Sequence, residues 1–128
     1  MKGLLEFLFY PHLIYPQKEF ELHEGRKRID IVFTNSASVG FFYRRAIDGR
    51  SRAVKVMIEC KNYSKEIGNP ELDQMAGRFS RDRGRLGFVI GRQFDYRERF
   101  IDRCRDTTRD GRGYIIALVD GILKGCYR

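Results

Sequence analysis

Val54-Lys55-Val56-Met57-Ile58-Glu59-Cys60-Lys61-Asn62-Tyr63 is the stretch on which the reading of this chain turns. Strand side chains alternate with period two, so Val54, Val56, Ile58 and Cys60 are predicted to share one face of a strand, and the other face ends in Glu59 and Lys61. Opposite charges side by side at the end of a mostly apolar strand are costly to bury unless they are paired or hold an ion. That pattern suggests a functional site more than a core.

Downstream, Asn62 to Asn69 is polar and ends in Gly68-Asn69-Pro70, a helix-start signature with Asn69 as N-cap and Pro70 at the first helical position. A helix is predicted from Pro70 to about Arg81. Leu72, Met75, Ala76 and Phe79 form its buried stripe, and Gln74, Arg78 and Arg81 fall on its other faces. Gly84 closes that helix, and Leu86 to Ile90 is an apolar run of the kind found in buried strands. Arg97 to Arg105 carries Phe100, Ile101 and Cys104 at helical spacing within a basic exterior. Tyr114 to Val119 is a last apolar strand, entered through Gly111 and Gly113.

Upstream, Leu4, Leu5, Leu8 and Phe9 repeat at helical spacing until Pro11 stops the pattern. After an irregular Pro-containing passage, Glu19 to Leu22 alternates polar with apolar, Glu24-Gly25 offers a turn, and Arg28 to Phe33 reads as the returning strand of a hairpin. A two-residue turn there pairs His23 with Arg26, Glu21 with Arg28 and Glu19 with Asp30. Glu19 and Asp30 would then be cross-strand neighbours whose carboxylates repel unless a cation or a proton lies between them. A longer turn with a shifted register would instead leave Glu19 a solvated edge residue. From Thr34 to Arg52 the pattern breaks down and a loop or an irregular excursion is expected, its Phe41, Phe42 and Tyr43 packing it onto the body or, as the alternative, stacking on bases. A hairpin followed by crossover helices gives an α/β fold, a mixed central sheet with helices on both faces.

The chain's 128 residues suit one domain, spanning 1–128, with a real core. The sequence begins almost inside a helix, as a fragment of a longer chain would. The net charge of +8 is spread over many arginines and points to a polyanion such as nucleic acid as partner. Cys60, Cys104 and Cys126 have no metal-type spacing and are odd in number, which fits a reducing cytoplasm better than a disulfide framework. The apolar stretch from Leu4 to Tyr15 is too short to cross a bilayer and lacks a signal-peptide cleavage site, so no membrane partner is expected. His12 and His23 are isolated and read as surface or packing residues.

Asp30, Glu59 and Lys61 combine acidic groups on apolar strands with a lysine two residues from one of them. Hard divalent cations such as Mg²⁺ take oxygen ligands and keep several waters, so the carboxylates of Asp30 and Glu59 with a backbone carbonyl, that of Cys60, could hold one. Such an ion polarises a phosphodiester and acidifies bound water. Lys61 would orient or deprotonate that water, or offset charge developing at phosphorus.

Ile29-Asp30-Ile31-Val32 followed by Val56-Met57-Ile58-Glu59-Cys60-Lys61-Asn62-Tyr63 resembles the PD-(D/E)xK nuclease superfamily, in particular its Mrr-like restriction endonuclease branch. The resemblance covers most of the chain through the order of elements, and it implies a restriction-endonuclease-like core. It implies that Asp30 and Glu59 bind metal, that Lys61 serves the hydrolytic water, and that Gln74 matches a glutamine on the following helix. The position before Asp30 is Ile29 where the motif has Pro. Relatives often place a further Glu on the first helix, for which Glu6 is the candidate, with Glu19 another additional acidic group. The function implied is Mg²⁺-dependent cleavage of DNA, of restriction or repair type, with Mn²⁺ able to substitute and with Arg28, Arg78 and Arg81 contacting the nucleic acid. Nucleases that cut both strands are often symmetric dimers, so a homodimer belongs to this expectation. Two other readings are a catalytically idle nucleic-acid-binding domain of the same fold and an interaction module of a larger defence protein.

Overall fold

The structure is a computed structural model that describes residues 2–22, 27–61, 69–91 and 97–119. The hairpin turn at Glu24-Gly25, His23, Cys126 and the polar stretch after Lys61 lie outside the described residues, as do the side chains of residues 19–30, 60 and 61. The elements in chain order are α1 (Lys2–Phe9), β1 (Leu13–Leu22), β2 (Lys27–Asn35), α2 (Gly40–Ile47), β3 (Lys55–Lys61), α3 (Asn69–Arg78), β4 (Leu86–Gly91), α4 (Arg97–Arg109) and β5 (Tyr114–Val119).

The five strands form one sheet in the order β1-β2-β3-β4-β5. β1, β2 and β3 pair antiparallel, and β3, β4 and β5 pair parallel. The sheet is therefore mixed, and β3 is the strand at which its direction changes. Its two faces carry separate cores. Ile31, Phe33, Val56, Ile58, Phe88 and Ile90 pack with Leu5 of α1 and with the partly buried Phe9 and Phe42. Val32, Met57, Val89 and Ile115 pack with Leu72 and Met75 of α3 and with Phe100 and Cys104 of α4. Alternation along each strand separates the two sets, as the period-two pattern requires. Gly87 lets α3 lie close to the sheet, because a Cβ there would come within 2.5 Å of Met75 Sδ.

The hairpin follows the two-residue-turn register. Glu21 pairs with Arg28, and Phe20 with Ile29 and Lys18 with Ile31 flank the facing positions 19 and 30. The shifted register that would separate Glu19 from Asp30 is not the one adopted.

Three expectations are corrected. The passage before Glu19 is strand from Leu13 onward, because β1 is an edge strand and a register irregularity between Ile14 and Gln17 accommodates Pro16. The expected loop from Thr34 to Arg52 contains the helix α2, which opens at Val39 without a side-chain cap and has no acidic residue in its first turn. Tertiary contacts hold it. Asn35 Nδ2 donates to the carbonyls of Phe42 and Ala53, each at 2.8 Å, and Phe42 packs edge-on to Phe9 and against Phe88. Phe42 thus packs onto the body as expected, whereas Phe41 and Tyr43 are exposed. Finally, α3 stops at Arg78 rather than Arg81, where Arg83 Nη2 donates to the Arg78 carbonyl at 2.9 Å and caps a helix-end acceptor.

Candidate active site

Glu59 lies near the end of β3, the middle strand, two residues before that strand ends at Lys61. It follows the alternation of Met57, so its carboxylate is on the sheet face covered by α3 and α4. Its side chain is only 4 % exposed. Burial of a carboxylate at that depth requires a counter-charge.

Arg78 supplies one. Helical side chains lean toward the helix N-terminus, so the long Arg78 side chain reaches back from the last turn of α3 over the sheet. Its Nη1 stops 3.4 Å from Glu59 Oε2, and the Arg78 side chain is itself 12 % exposed. That distance makes an ion pair and is long for a charge-assisted hydrogen bond. Sequence reasoning placed Arg78 against nucleic acid. The structure places its guanidinium against the carboxylate instead, a pairing that no sequence pattern specifies because the two residues meet only through the fold.

Asp30 reaches this region by strand register. Ile31 pairs with Ile58 and Val32 with Met57, so one further step along the antiparallel ladder sets position 30 opposite position 59. The carboxyl-bearing positions quoted from distant parts of the sequence are thereby adjacent in the sheet. Lys61 pairs with Gly91 and Cys60 with Ile90, on the parallel side of β3. The side chains of Asp30, Lys61, Cys60, Glu19 and Arg28 lie outside the described ones.

Gln74 is exposed on α3, one helical turn before Arg78 and on the same stripe. Glu6 is not brought to Glu59. It belongs to α1, which packs on the opposite face of the sheet, and it lines a separate cavity with Tyr10, Leu13 and Tyr15. Arg81 is exposed and belongs to a different cavity, at the far end of β3.

Among the described residues no three or more His, Cys, Asp or Glu side chains converge as metal ligands, and no helix is long and apolar enough to cross a membrane. Cys104 is a free, buried thiol whose pKa desolvation pushes up to about 11, so it stays protonated at neutral pH and is a poor ligand or nucleophile there. No protein-family model, no curated protein and no solved structure matches the chain.

Proposed function

We propose that this chain is a Mg²⁺-dependent endodeoxyribonuclease domain of restriction or repair type, built on a restriction-endonuclease-like core. The observation that carries this reading is the β2–β3 register, which sets position 30 opposite position 59, with Lys61 closing the same strand. The mixed sheet with helices on both faces supports it.

The donor set fits a hard divalent cation. Glu59 supplies a buried carboxylate, and Asp30 and the Cys60 carbonyl offer further oxygens by position. When bound, such an ion would polarise the scissile phosphodiester and acidify an attacking water. Asp30 and Glu59 would hold it, and Mn²⁺ would substitute. Lys61 would orient or deprotonate the water, and Gln74 would contact the substrate from α3. Arg28 and the exposed Arg81 would bind phosphates of the DNA. Cleavage of both strands would call for a homodimer, and the reducing cytoplasm is the compartment that suits the cysteines.

The decisive experiment is nicking of supercoiled plasmid by the purified protein with Mg²⁺, with Mn²⁺ and with chelator. Lys61→Ala is expected to lower cleavage by about 10²-fold or more while DNA binding persists. Unchanged cleavage in that variant overturns the reading.

One observation favours a catalytically idle nucleic-acid-binding domain instead, namely that Arg78 occupies the carboxylate a metal would use. That reading requires salt-sensitive DNA binding without cleavage, and binding indifferent to both Mg²⁺ and Asp30→Asn.

A further inference from the structure

The loop that leads into β3 and the loop that leads into β4 meet at the end of the sheet remote from Glu59. Between them is a cavity of about 300 Å³ lined by Arg50, Ser51, Arg52, Ser80, Arg81 and Arg85. β3 and β4 run parallel away from it. From Lys55 to Glu59 is four strand steps, about 13 Å at roughly 3.3 Å each, so this cavity is separate from the candidate active site.

The cavity is rigidly framed. Arg85 N donates to the Ser51 carbonyl at 2.7 Å, Lys55 N to the Arg83 carbonyl at 2.8 Å, and Gly84 N to the Ser80 carbonyl at 2.9 Å. Gly84, at φ +103°, lies so close to the other loop that a Cβ would fall 2.6 Å from Ala53 Cα and from the Arg52 carbonyl oxygen. Arg52 itself has φ 41°, an unfavourable backbone for a residue with a side chain. Two backbones in contact thus bring four arginines into the lining of one space.

Among the described residues no acidic side chain balances those charges, and Arg85 Nη1 reaches only the Arg50 carbonyl, at 3.4 Å. Ion pairs among the described residues engage Arg45, Arg78, Arg105, Arg109 and Arg112, and none engages Arg50, Arg52, Arg81 or Arg85. The neighbouring Asp48 is turned to Arg45 Nη1 at 3.4 Å and to Arg50 N at 2.8 Å and does not line the cavity. Ser80 Oγ accepts from Arg83 N at 3.0 Å, which leaves its proton for an incoming acceptor. Guanidinium groups held together repel unless an anion joins them, and their planar forks suit phosphate oxygens. The lining has no aromatic or large aliphatic side chain on which a base could rest.

We propose that this arginine cavity is a binding site for a backbone phosphate of a nucleic-acid strand, used without regard to sequence and independently of Glu59. Phosphate contacts fix position and carry no base information, which matches a lining of arginine, serine and glycine in which the Ser80 hydroxyl remains to donate while that of Ser51 is held by the Arg45 carbonyl. The inference concerns binding and stands whether or not the protein cleaves DNA.

The test is anisotropy of a labelled DNA duplex titrated with the full chain in chelator, across a range of salt. Arg52→Gln/Arg81→Gln is compared with Arg105→Gln/Arg109→Gln, which removes as much charge from exposed positions on α4. Both pairs are at the surface, and circular dichroism confirms that each variant is folded. The pocket variant is expected to lower the slope of log K against log salt by about 0.9, the value for one neutralised phosphate, with the α4 variant near wild type. Equal losses in both variants would overturn the proposal, since they would reduce the effect to net charge. So would absence of salt-sensitive binding in the wild type. A third overturning result is an unchanged DNA slope in a pocket variant that has lost calorimetric binding of inorganic phosphate, which would make this a small-anion site.

Discussion

Arg78 and Arg81 are separated only by Phe79 and Ser80, yet their surroundings are opposite. Arg78 lies over the sheet with its guanidinium 3.4 Å from a buried carboxylate, and both side chains are almost closed to solvent. Arg81 is exposed beside three other arginines in an open cavity, with no ion pair among the described residues. The same side chain is a counter-ion at one end of β3 and, among the described residues, an unpaired cation at the other. A buried charge must be neutralised within the fold, whereas an exposed one can be left for a ligand.

This difference can be measured as stability. Arg78→Ala strips the Arg78 counter-charge from a buried carboxylate and is expected to cost about 3 kcal/mol or more in urea denaturation. Arg81→Ala should stay within about 0.5 kcal/mol. Similar small losses for both would break the distinction between the two ends. The pair also bears on how catalysis is tested, since Glu59→Ala would strand the Arg78 guanidinium and confuse lost folding with lost activity. Lys61→Ala is therefore read beside circular dichroism, which separates lost folding from lost activity.

A second effect, somewhat smaller, concerns the frame of the arginine cavity. Gly84→Ala must displace the backbone of Arg52 and Ala53, and is expected to destabilise by about 2 kcal/mol through overpacking and the left-handed φ. Gly111→Ala has a similar φ of +75° but open space around the new Cβ, and about 1 kcal/mol is expected. Equal midpoints for the two variants would show that the contact between the two loops carries no weight.

Much of the architecture was legible because it rests on local rules. The alternation in Val56 to Ile58, the apolar runs of β4 and β5 and the spacing in α3 and α4 each correspond to an element seen in the structure. The hairpin register came from turn length, and the pairing of Glu21 with Arg28 agrees with it. The helix α2 was not legible because it lacks the usual local signals. Val39 offers no capping side chain, no residue of the helix is fully buried, and Asn35 and Phe42 hold it from outside its own span.

The candidate site divides along the same line. Glu59 was visible as a charge at the end of a mostly apolar strand, and its burial agrees with that signal. Its pairing with Arg78 was not, since the separation in sequence carries no information about which helical turn crosses which strand. The location of Glu6 on the far side of the sheet was likewise invisible, because a helix's own periodicity does not tell which face of a sheet it will cover.

From the sequence alone come the elements other than α2, their alternation, the hairpin register and the unusual charges of β3, all consequences of backbone geometry and near-neighbour spacing. Only the tertiary structure decided that Arg78 neutralises Glu59 and that two loops gather Arg50, Arg52, Arg81 and Arg85 into one cavity. Electrostatic partnership depends on distance in space, and residues far apart along the chain acquire that distance only when the strands and helices pack.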